Sequence, residues 1–332
     1  MQYRHVIVAL AVSAAATFGP AYGQTTQGQS VGAAIEQIAS GLAGRIGFAA
    51  QEIGGDEVIA FNGDETFAMA STYKVAIATA VLDRVDRGEL SLDQLVEVPL
   101  DMMVVGETAL AETFPHPGLQ LSVANLIEVM ITESDNTATD VSMGLAGGPA
   151  AVTENLRRLG ITDFRVDRLT TEILRDFYGL PGPATPEVVA EAYRNNPALV
   201  TEQADRNPDF EADPRDHATP LAMLQLLLAI DDGTAMSPES REFLLGVMSR
   251  TRTGAARLKG LLPKGTPVAH KTGLTGGVAN DVGYITLPDG RRFAIAVFTN
   301  SSETSVSDRD RAVAEIARTM FDYFYLAPVA KQ

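Results

Sequence analysis

The sequence Met69-Ala70-Ser71-Thr72-Tyr73-Lys74 runs directly into the apolar segment Val75 to Leu82, and this stretch decides the fold prediction. The segment is too apolar for a surface helix and predicts a buried one. Residues three apart share a face of a helix, so we expect the Lys74 amine beside the Ser71 oxygen. Burial disfavours the charged form of an amine. The stretch therefore predicts a neutral base next to a serine nucleophile, at a helix end whose free N–H groups face a developing oxyanion.

A second interpretation of this stretch is structural. Ser-x-x-Lys occurs by chance in many proteins, and serine is a common helix cap. The motif alone therefore does not establish a catalytic site, and the rest of the chain has to decide.

The amino terminus has the pattern of a secretory signal. Arg4 and His5 precede the apolar run Val6 to Phe18, and small residues around Ala21 to Gly23 predict cleavage before Gln24. The alternative is an N-terminal membrane anchor, but the run is short for a span and ends at Gly19-Pro20. We therefore expect residues 1–23 to be a signal peptide, a periplasmic or secreted mature chain, and no stable membrane anchor.

Composition excludes several classes of function. Loss of Arg4 with the signal takes the formal net charge from −16 to −17, which argues against nucleic acid and anionic membranes as partners. The chain has 332 residues and no cysteine, so it is long enough to fold on a large core without disulfides. The four histidines are widely spaced. We therefore predict no metal; we also expect no cofactor and a monomer.

The order of predicted elements indicates an α/β (α+β) fold. Strands are expected at both ends of the chain, over 45–52, 57–61, 267–271, 282–287 and 293–299, and helices over 31–42, 71–86, 122–133, 137–145, 149–159, 186–193, 219–230, 237–248 and 308–324. The strands predict one antiparallel sheet flanked by the N- and C-terminal helices, with an inserted all-helical domain. The predicted division is 30–65 with 218–330 for the sheet and 66–217 for the helices, with an extended surface loop over about 163–217 and the active site between the two.

Two further clusters carry chemistry. Ser134-Asp135-Asn136 lies at a helix junction, where Asp135 reads as a structural cap. Lys271-Thr272-Gly273 lies on a predicted strand, where Gly273 allows a ligand backbone to approach closely. Each cluster has an ordinary structural interpretation, as capping residues or as a strand end with a glycine turn.

Taken together and in this order, the three clusters resemble those of the class A β-lactamases and penicillin-binding proteins. Further segments agree, including Thr253-Gly254-Ala255-Ala256-Arg257, Asn280-Asp281-Val282-Gly283 and Arg215-Asp216-His217-Ala218-Thr219-Pro220. The resemblance covers almost all of the mature chain except about 176–214. It implies a β-lactamase-like serine hydrolase fold.

The resemblance also implies roles. Ser71 would be acylated, Lys74 would be its base or base partner, and Ser134 would relay a proton to the leaving nitrogen. Substrate binding would involve Asn136, Lys271, Thr272, Gly273, the Leu274 backbone N–H and Arg257, although Arg257 could instead pair with a surface acid.

The sequence departs from the family where the hydrolytic glutamate should lie. The family loop reads Arg-x-Glu-x-x-Leu-Asn, whereas this chain reads Arg168-Leu169-Thr170-Thr171-Glu172. Alignment on Arg168 puts Thr170 at the glutamate position, and a shift of two residues puts Glu172 there. We take Glu172 as the predicted water-activating base, with a solvated loop acid as the alternative.

The functional expectation is therefore a periplasmic or secreted serine β-lactamase that acts through a Ser71 acyl-enzyme. The alternatives are a D-alanyl-D-alanine peptidase-like or slow-deacylating penicillin-binding hydrolase that acts on β-lactams or cell-wall peptides, and a non-enzymatic β-lactam sensor.

Overall fold

A computed structural model describes residues 26–105, 110–196 and 206–327. The predicted signal peptide lies outside the described residues. The described strands are β1 Arg45–Glu52, β2 Val58–Phe61, β3 Phe67–Ala68, β4 Leu95–Glu97, β5 Gln120–Ser122, β6 His217–Ala218, β7 Val268–Thr275, β8 Val278–Thr286 and β9 Arg292–Asn300.

The helices outnumber the strands in the described part of the chain. They are α1 Thr26–Ser40, α2 Lys74–Asp86, α3 Leu110–Thr113, α4 Val123–Thr132, α5 Asn136–Ala146, α6 Pro149–Arg158, α7 Thr170–Tyr178, α8 Pro186–Asn195, α9 Pro208–Glu211, α10 Pro220–Asp231, α11 Pro238–Ser249 and α12 Val306–Leu326. Short 3₁₀ turns cover Ala70–Tyr73 and Leu100–Met102.

The main sheet has five antiparallel strands in the order β2-β1-β9-β8-β7. Strands from both chain ends meet at the β1–β9 pairing, where Phe48 lies opposite Val297. The prediction of an antiparallel sheet flanked by the N- and C-terminal helices is confirmed, and both helices lie on the same face of the sheet. The strand that carries Lys271 is longer than predicted, because β7 continues from Lys271 to Thr275 beside β8.

The sheet is buried on both faces. Side chains of β9 alternate between the two cores: Phe293, Ile295 and Val297 pack with α1 and α12, while Ala294, Ala296 and Phe298 belong to the larger core that contains α2. Every residue of α2 from Lys74 to Leu82 is buried. This helix packs against α4, α5, α6 and α11, so the apolar run seen in the sequence is the centre of the helical layer.

Two sequence expectations need correction. Helix α1 begins at Thr26, before the predicted start at residue 31. The segment 163–217, expected to be mostly surface loop, contains α7, α8 and α9. It has a small apolar cluster of its own around Leu180, Ala184 and Val189, which explains why this polar-looking segment holds helices. The division into a 30–65 with 218–330 unit and a 66–217 unit stays a prediction.

The segment 163–217 is closed at its base by ion pairs. The buried Arg168 donates from Nε to Asp216 at 2.6 Å, and its Nη1 lies 2.8 Å from Asp176 and 3.2 Å from Asp213. Asp216 also accepts from the backbone N–H of Asp167 at 2.7 Å. These contacts fix both ends of the segment next to β3, which precedes the Ser71 turn.

Candidate active site

Ser71 lies in a tight turn between the sheet and the helical layer. Ala70 has φ of 44°, a left-handed conformation that is unusual for a residue with a side chain. The 3₁₀ turn Ala70–Tyr73 then leads into α2, whose first residue is Lys74. Ser71 therefore precedes the α-helix instead of opening it. In a 3₁₀ turn, residues three apart eclipse one another, so the predicted shared face of Ser71 and Lys74 is kept.

The Lys74 amine is held by the Ser134-Asp135-Asn136 junction. Nζ donates to Ser134 O at 2.6 Å, to Ser134 Oγ at 3.2 Å and to Asn136 Oδ1 at 2.9 Å. These three contacts hold the amine on the junction, and none of the hydrogen bonds of the described residues joins Nζ to Ser71 Oγ. That Lys74 acts as the base of Ser71 stays a prediction.

Both lysines of the site have lowered pKa values. Burial lowers the pKa of Lys74 to about 7, against the opposing charges of Asp135 and Asp140. Burial is the main cause, and the charge of the nearby Lys74 the second, that holds the pKa of Lys271 well below its usual range. Lys271 Nζ donates to Ser134 Oγ at 2.9 Å. The Ser134 hydroxyl thus lies between two amines that give up their protons more readily than an ordinary lysine.

The junction itself is built by capping. Ser134 has φ of 62°, which turns the chain between α4 and α5. Asp135 is the N-cap of α5: its carboxylate accepts from the N–H groups of Ala138 at 2.7 Å and Leu110 at 3.0 Å. The structural interpretation of Asp135 is confirmed, and the cap leaves its neighbours Ser134 and Asn136 to face Lys74.

Strand β7 touches the serine turn directly. A Cβ placed on Gly273 would stand 2.7 Å from Met69 O and 3.0 Å from Ser71 N, closer than side chains tolerate. On β8, the Asn280 amide donates to Ala68 O at 2.9 Å and Met69 O at 3.0 Å. The glycine that the sequence assigned to ligand approach is thus required by the approach of the chain's own turn.

The residues expected to bind a substrate carboxylate are engaged with their neighbours. Thr272 Oγ1 shares a 2.6 Å hydrogen bond with Thr253 Oγ1. Arg257 is buried: its Nε pairs with Asp310 at 2.6 Å, and its Nη1 donates to Gly273 O at 3.0 Å. Arg257 therefore supports β7 from behind. The structure therefore shows the alternative in which Arg257 pairs with an acid, Asp310.

Leu274 follows on the same strand, and its side chain is exposed, in contrast to the buried residues Lys271 and Thr272 before it. The strand is therefore open to solvent from Leu274 onward, next to the Ser71 turn. Its backbone N–H as an oxyanion donor remains a prediction.

Glu172 has a local structural contact. Its carboxylate accepts from the Leu169 N–H at 2.9 Å, which caps α7. The residue nearer the serine turn is Thr170, whose Oγ1 lies 2.7 Å from the hydroxyl of Tyr73. Thr170 N donates to the buried Asp140 at 2.6 Å. Thr170 thus contacts the serine turn through Tyr73, and the hydrogen bonds described here do not join Glu172 to Ser71, Lys74 or Ser134.

Two side chains of this site, Tyr73 and Asp140, were not singled out from the sequence, and Asn280 was named only within a segment that resembles the family. Burial raises the pKa of Asp140, while hydrogen bonds from Thr170 and Thr171 oppose the rise. A usable signal existed for Asp140, because it follows Asn136 by four residues and so shares its helix face. Within the described residues, no group of three or more His, Asp or Glu side chains is placed to hold a metal ion, and no helix is long and apolar enough to cross a membrane.

The chain matches known proteins over nearly its whole length. Residues 30–324 match the model of the β-lactamase enzyme family. The chain is 30% identical to β-lactamase VEB-1 of Pseudomonas aeruginosa, covering 87% of this chain and 89% of that protein. It is 29% identical to the extended-spectrum β-lactamase PER-1 of the same species, covering 87% and 85%.

Solved structures agree with these relatives. The TLA-3 extended-spectrum β-lactamase has a TM-score of 0.73 and 30% identity, covering 90% of this chain and 99% of that one. A β-lactamase from Chitinophaga pinensis has a TM-score of 0.73 and 30% identity, covering 88% and 98%. The fold and the site define a class A-like serine hydrolase. The chain belongs to the β-lactamase enzyme family.

The contact between β7 and the serine turn can be tested with Gly273→Ala. The added methyl group would collide with Met69 O and Ser71 N and displace the nucleophile. A displacement of about 1 Å costs on the order of a hundredfold in rate, so we expect the rate of Ser71 acylation by nitrocefin to fall about that far. Stopped-flow absorbance measures this rate.

Gly144→Ala is the matched control. Gly144 is exposed in α5, and an added Cβ there would meet nothing within 4 Å. We expect an unchanged acylation rate and a gain of about 0.5–1 kcal/mol in stability. Equal acylation rates in the wild type and Gly273→Ala would contradict the proposed contact.

Proposed function

We propose that the protein hydrolyses β-lactams through an acyl-enzyme on Ser71. The observation that carries this proposal is the convergence of the two buried amines of Lys74 and Lys271 on the Ser134 hydroxyl, at 3.2 and 2.9 Å, next to the Ser71 turn. Membership of the β-lactamase enzyme family supports the same substrate class. Neither amine has a carboxylate within ion-pair distance among the described residues, so both can exchange protons.

In acylation, Ser71 Oγ attacks the lactam carbonyl and gives its proton to the neutral Lys74 amine. The proton then passes along the Lys74–Ser134 hydrogen bond to the lactam nitrogen as the C–N bond breaks. Lys271 favours this transfer, because its amine donates to the same Ser134 oxygen. The product is an ester on Ser71 with the ring opened.

Substrate binding is proposed for the edge formed by β7 and the start of α5. Backbone N–H groups of Ser71 and Leu274 hold the oxyanion. Asn136 anchors the substrate side-chain amide and positions Lys74, to which its Oδ1 is already bonded. Lys271 and Thr272 face the substrate carboxylate. Arg257 acts on this end through its hydrogen bond to Gly273 O, with its charge shared with Asp310.

Hydrolysis of the ester needs a base that activates water. The Glu172 carboxylate is held by Leu169, and Thr170 lies nearer the serine turn. We propose that Lys74 also serves in this step, since its pKa of about 7 leaves it partly neutral at neutral pH. The position of Thr170 also favours the second candidate function, a penicillin-binding hydrolase whose acyl-enzyme turns over slowly.

The proposal for Ser71 is tested by nitrocefin turnover together with intact mass. The wild type is expected to turn over steadily, and Ser71→Ala is expected to lose at least about 10³-fold in kcat because no ester can form. A single stoichiometric burst with a stable adduct in the wild type would instead support the slow-deacylating hydrolase. Binding without any adduct would support the sensor.

The deacylating base is tested by the pair Glu172→Gln and Thr170→Glu. Glutamine keeps an acceptor for the Leu169 N–H, so we expect deacylation within about threefold of wild type; loss of a true general base would cost about 10²–10⁴-fold. Thr170→Glu places a carboxylate nearer the serine turn and is expected to speed loss of the adduct. Mass spectrometry after a β-lactam pulse measures both rates.

Glu187→Gln is the control, because Glu187 occupies the first turn of α8 and is exposed. A large loss in Glu172→Gln alone would restore Glu172 as the base.

We also propose that the chain is exported to the periplasm or secreted after cleavage following Gly23, without a membrane anchor, and acts as a monomer. The charged and apolar pattern of residues 4–18 supports export. The intact mass of the exported chain tests the cleavage site.

A further inference from the structure

A cavity of about 520 Å³ lies away from the catalytic cluster, where the start of α12 meets the end of the 163–217 segment. Its wall includes Arg206 and Pro208 on one side and Ser302 to Val306 with Arg309 on the other. The Ser71 turn and the two catalytic lysines do not line it. The cavity is therefore a separate feature of the fold.

Arg309 in this wall is a buried cation that forms no ion pair among the described residues, although the charge of Asp310 lies nearby. Its side chain is only 3% exposed. Its Nε and Nη1 have no hydrogen-bond partner within the described residues. Buried charges in proteins are normally paired, since leaving one unpaired is costly. A guanidinium in this position favours an anion supplied from outside the chain.

The neighbouring charges are already committed. Asp310, next in sequence, pairs with Arg257 at 2.6 Å. Arg206 pairs with Glu211 at 2.8 Å and with the exposed Glu303 at 3.2 Å. Of the two arginines that line the cavity, Arg206 is paired with acids, and Arg309 has no ion pair among the described residues. Glu303 stands at the rim, where its charge is bound to Arg206.

The start of α12 adds donors to the same wall. Ser305 is the N-cap of α12. Its Oγ accepts a hydrogen bond from the Asp308 N–H at 3.2 Å and donates one to the Asp308 carboxylate at 2.6 Å. The N–H groups of Val306 and Ser307 precede any intrahelical acceptor. The amino end of a 21-residue helix carries a partial positive charge that favours anions.

We propose that this cavity is a binding site for a small oxyanion of the phosphate or sulfate type, held by the Arg309 guanidinium and the first turn of α12. A fork of donors matches the oxygens of such an anion. Binding neutralises the buried guanidinium of the wall that forms no ion pair among the described residues. The site is independent of the proposed reaction at Ser71.

The test is a titration of the full mature chain with inorganic phosphate in chloride buffer, followed by calorimetry and by thermal unfolding. We expect saturable binding and a Tm that rises with phosphate concentration, because phosphate binds the folded state. Arg309→Gln should lose about tenfold or more in affinity and most of the Tm rise. Arg309→Lys keeps the charge without the fork and should lie between the two, and it tests the site if the glutamine variant does not fold.

Two controls locate the site. Arg311→Gln removes an exposed arginine that follows Arg309 on α12 and pairs with Glu315. This variant should leave the phosphate affinity unchanged. Lys271→Met removes a cation of the catalytic cluster and should also leave it unchanged. Absence of saturable binding, equal affinity in Arg309→Gln and wild type, or loss of binding in Lys271→Met alone would overturn the proposal.

Discussion

The rest of the site depends on the burial of the Lys74 amine against Ser134 and Asn136. Desolvation lowers the Lys74 pKa to about 7, and the three oxygen acceptors hold the amine without an ion pair. This arrangement requires α2 to be surrounded by apolar helices, because an exposed lysine would stay protonated. The large helical core thus creates the surroundings that lower the pKa of Lys74, as the proposed role of a base requires.

A second constraint joins the two layers of the fold. Gly273 of β7 and Asn280 of β8 both contact the backbone between Ala68 and Ser71, so the sheet sets the position of Ser71, the proposed nucleophile. The helical layer meanwhile sets the position of Lys74 and Ser134. Arg257 extends the link to α12 through Asp310. Acylation therefore needs the sheet and the helical layer to be correctly placed against each other. This explains why the residues of the site are distributed over some two hundred positions of the sequence.

Much of this could be predicted from the sequence. The apolar run after Lys74 identified the buried helix, and the three short clusters identified Ser71, Ser134 and Lys271 as neighbours. Periodicity could not give the partners of Lys74, because they depend on the left-handed turn at Ser134. It also missed α7 and α9, since the segment is polar and its small core forms only on folding. Thr170 contacts the serine turn because Tyr73 and Asp140 hydrogen-bond to it. These are tertiary contacts, so the sequence could not choose between Thr170 and Glu172.

The most direct test of the account is an NMR titration of Lys74 in the free protein, with ¹³C- and ¹⁵N-labelled lysine and Lys74→Arg to assign its signal. The account predicts a midpoint near pH 7. Because the neutral amine is the proposed base, acylation should rise with pH through the same midpoint and be lost below it. A Lys74 midpoint near 10.5, the value of an ordinary lysine, would contradict the central claim.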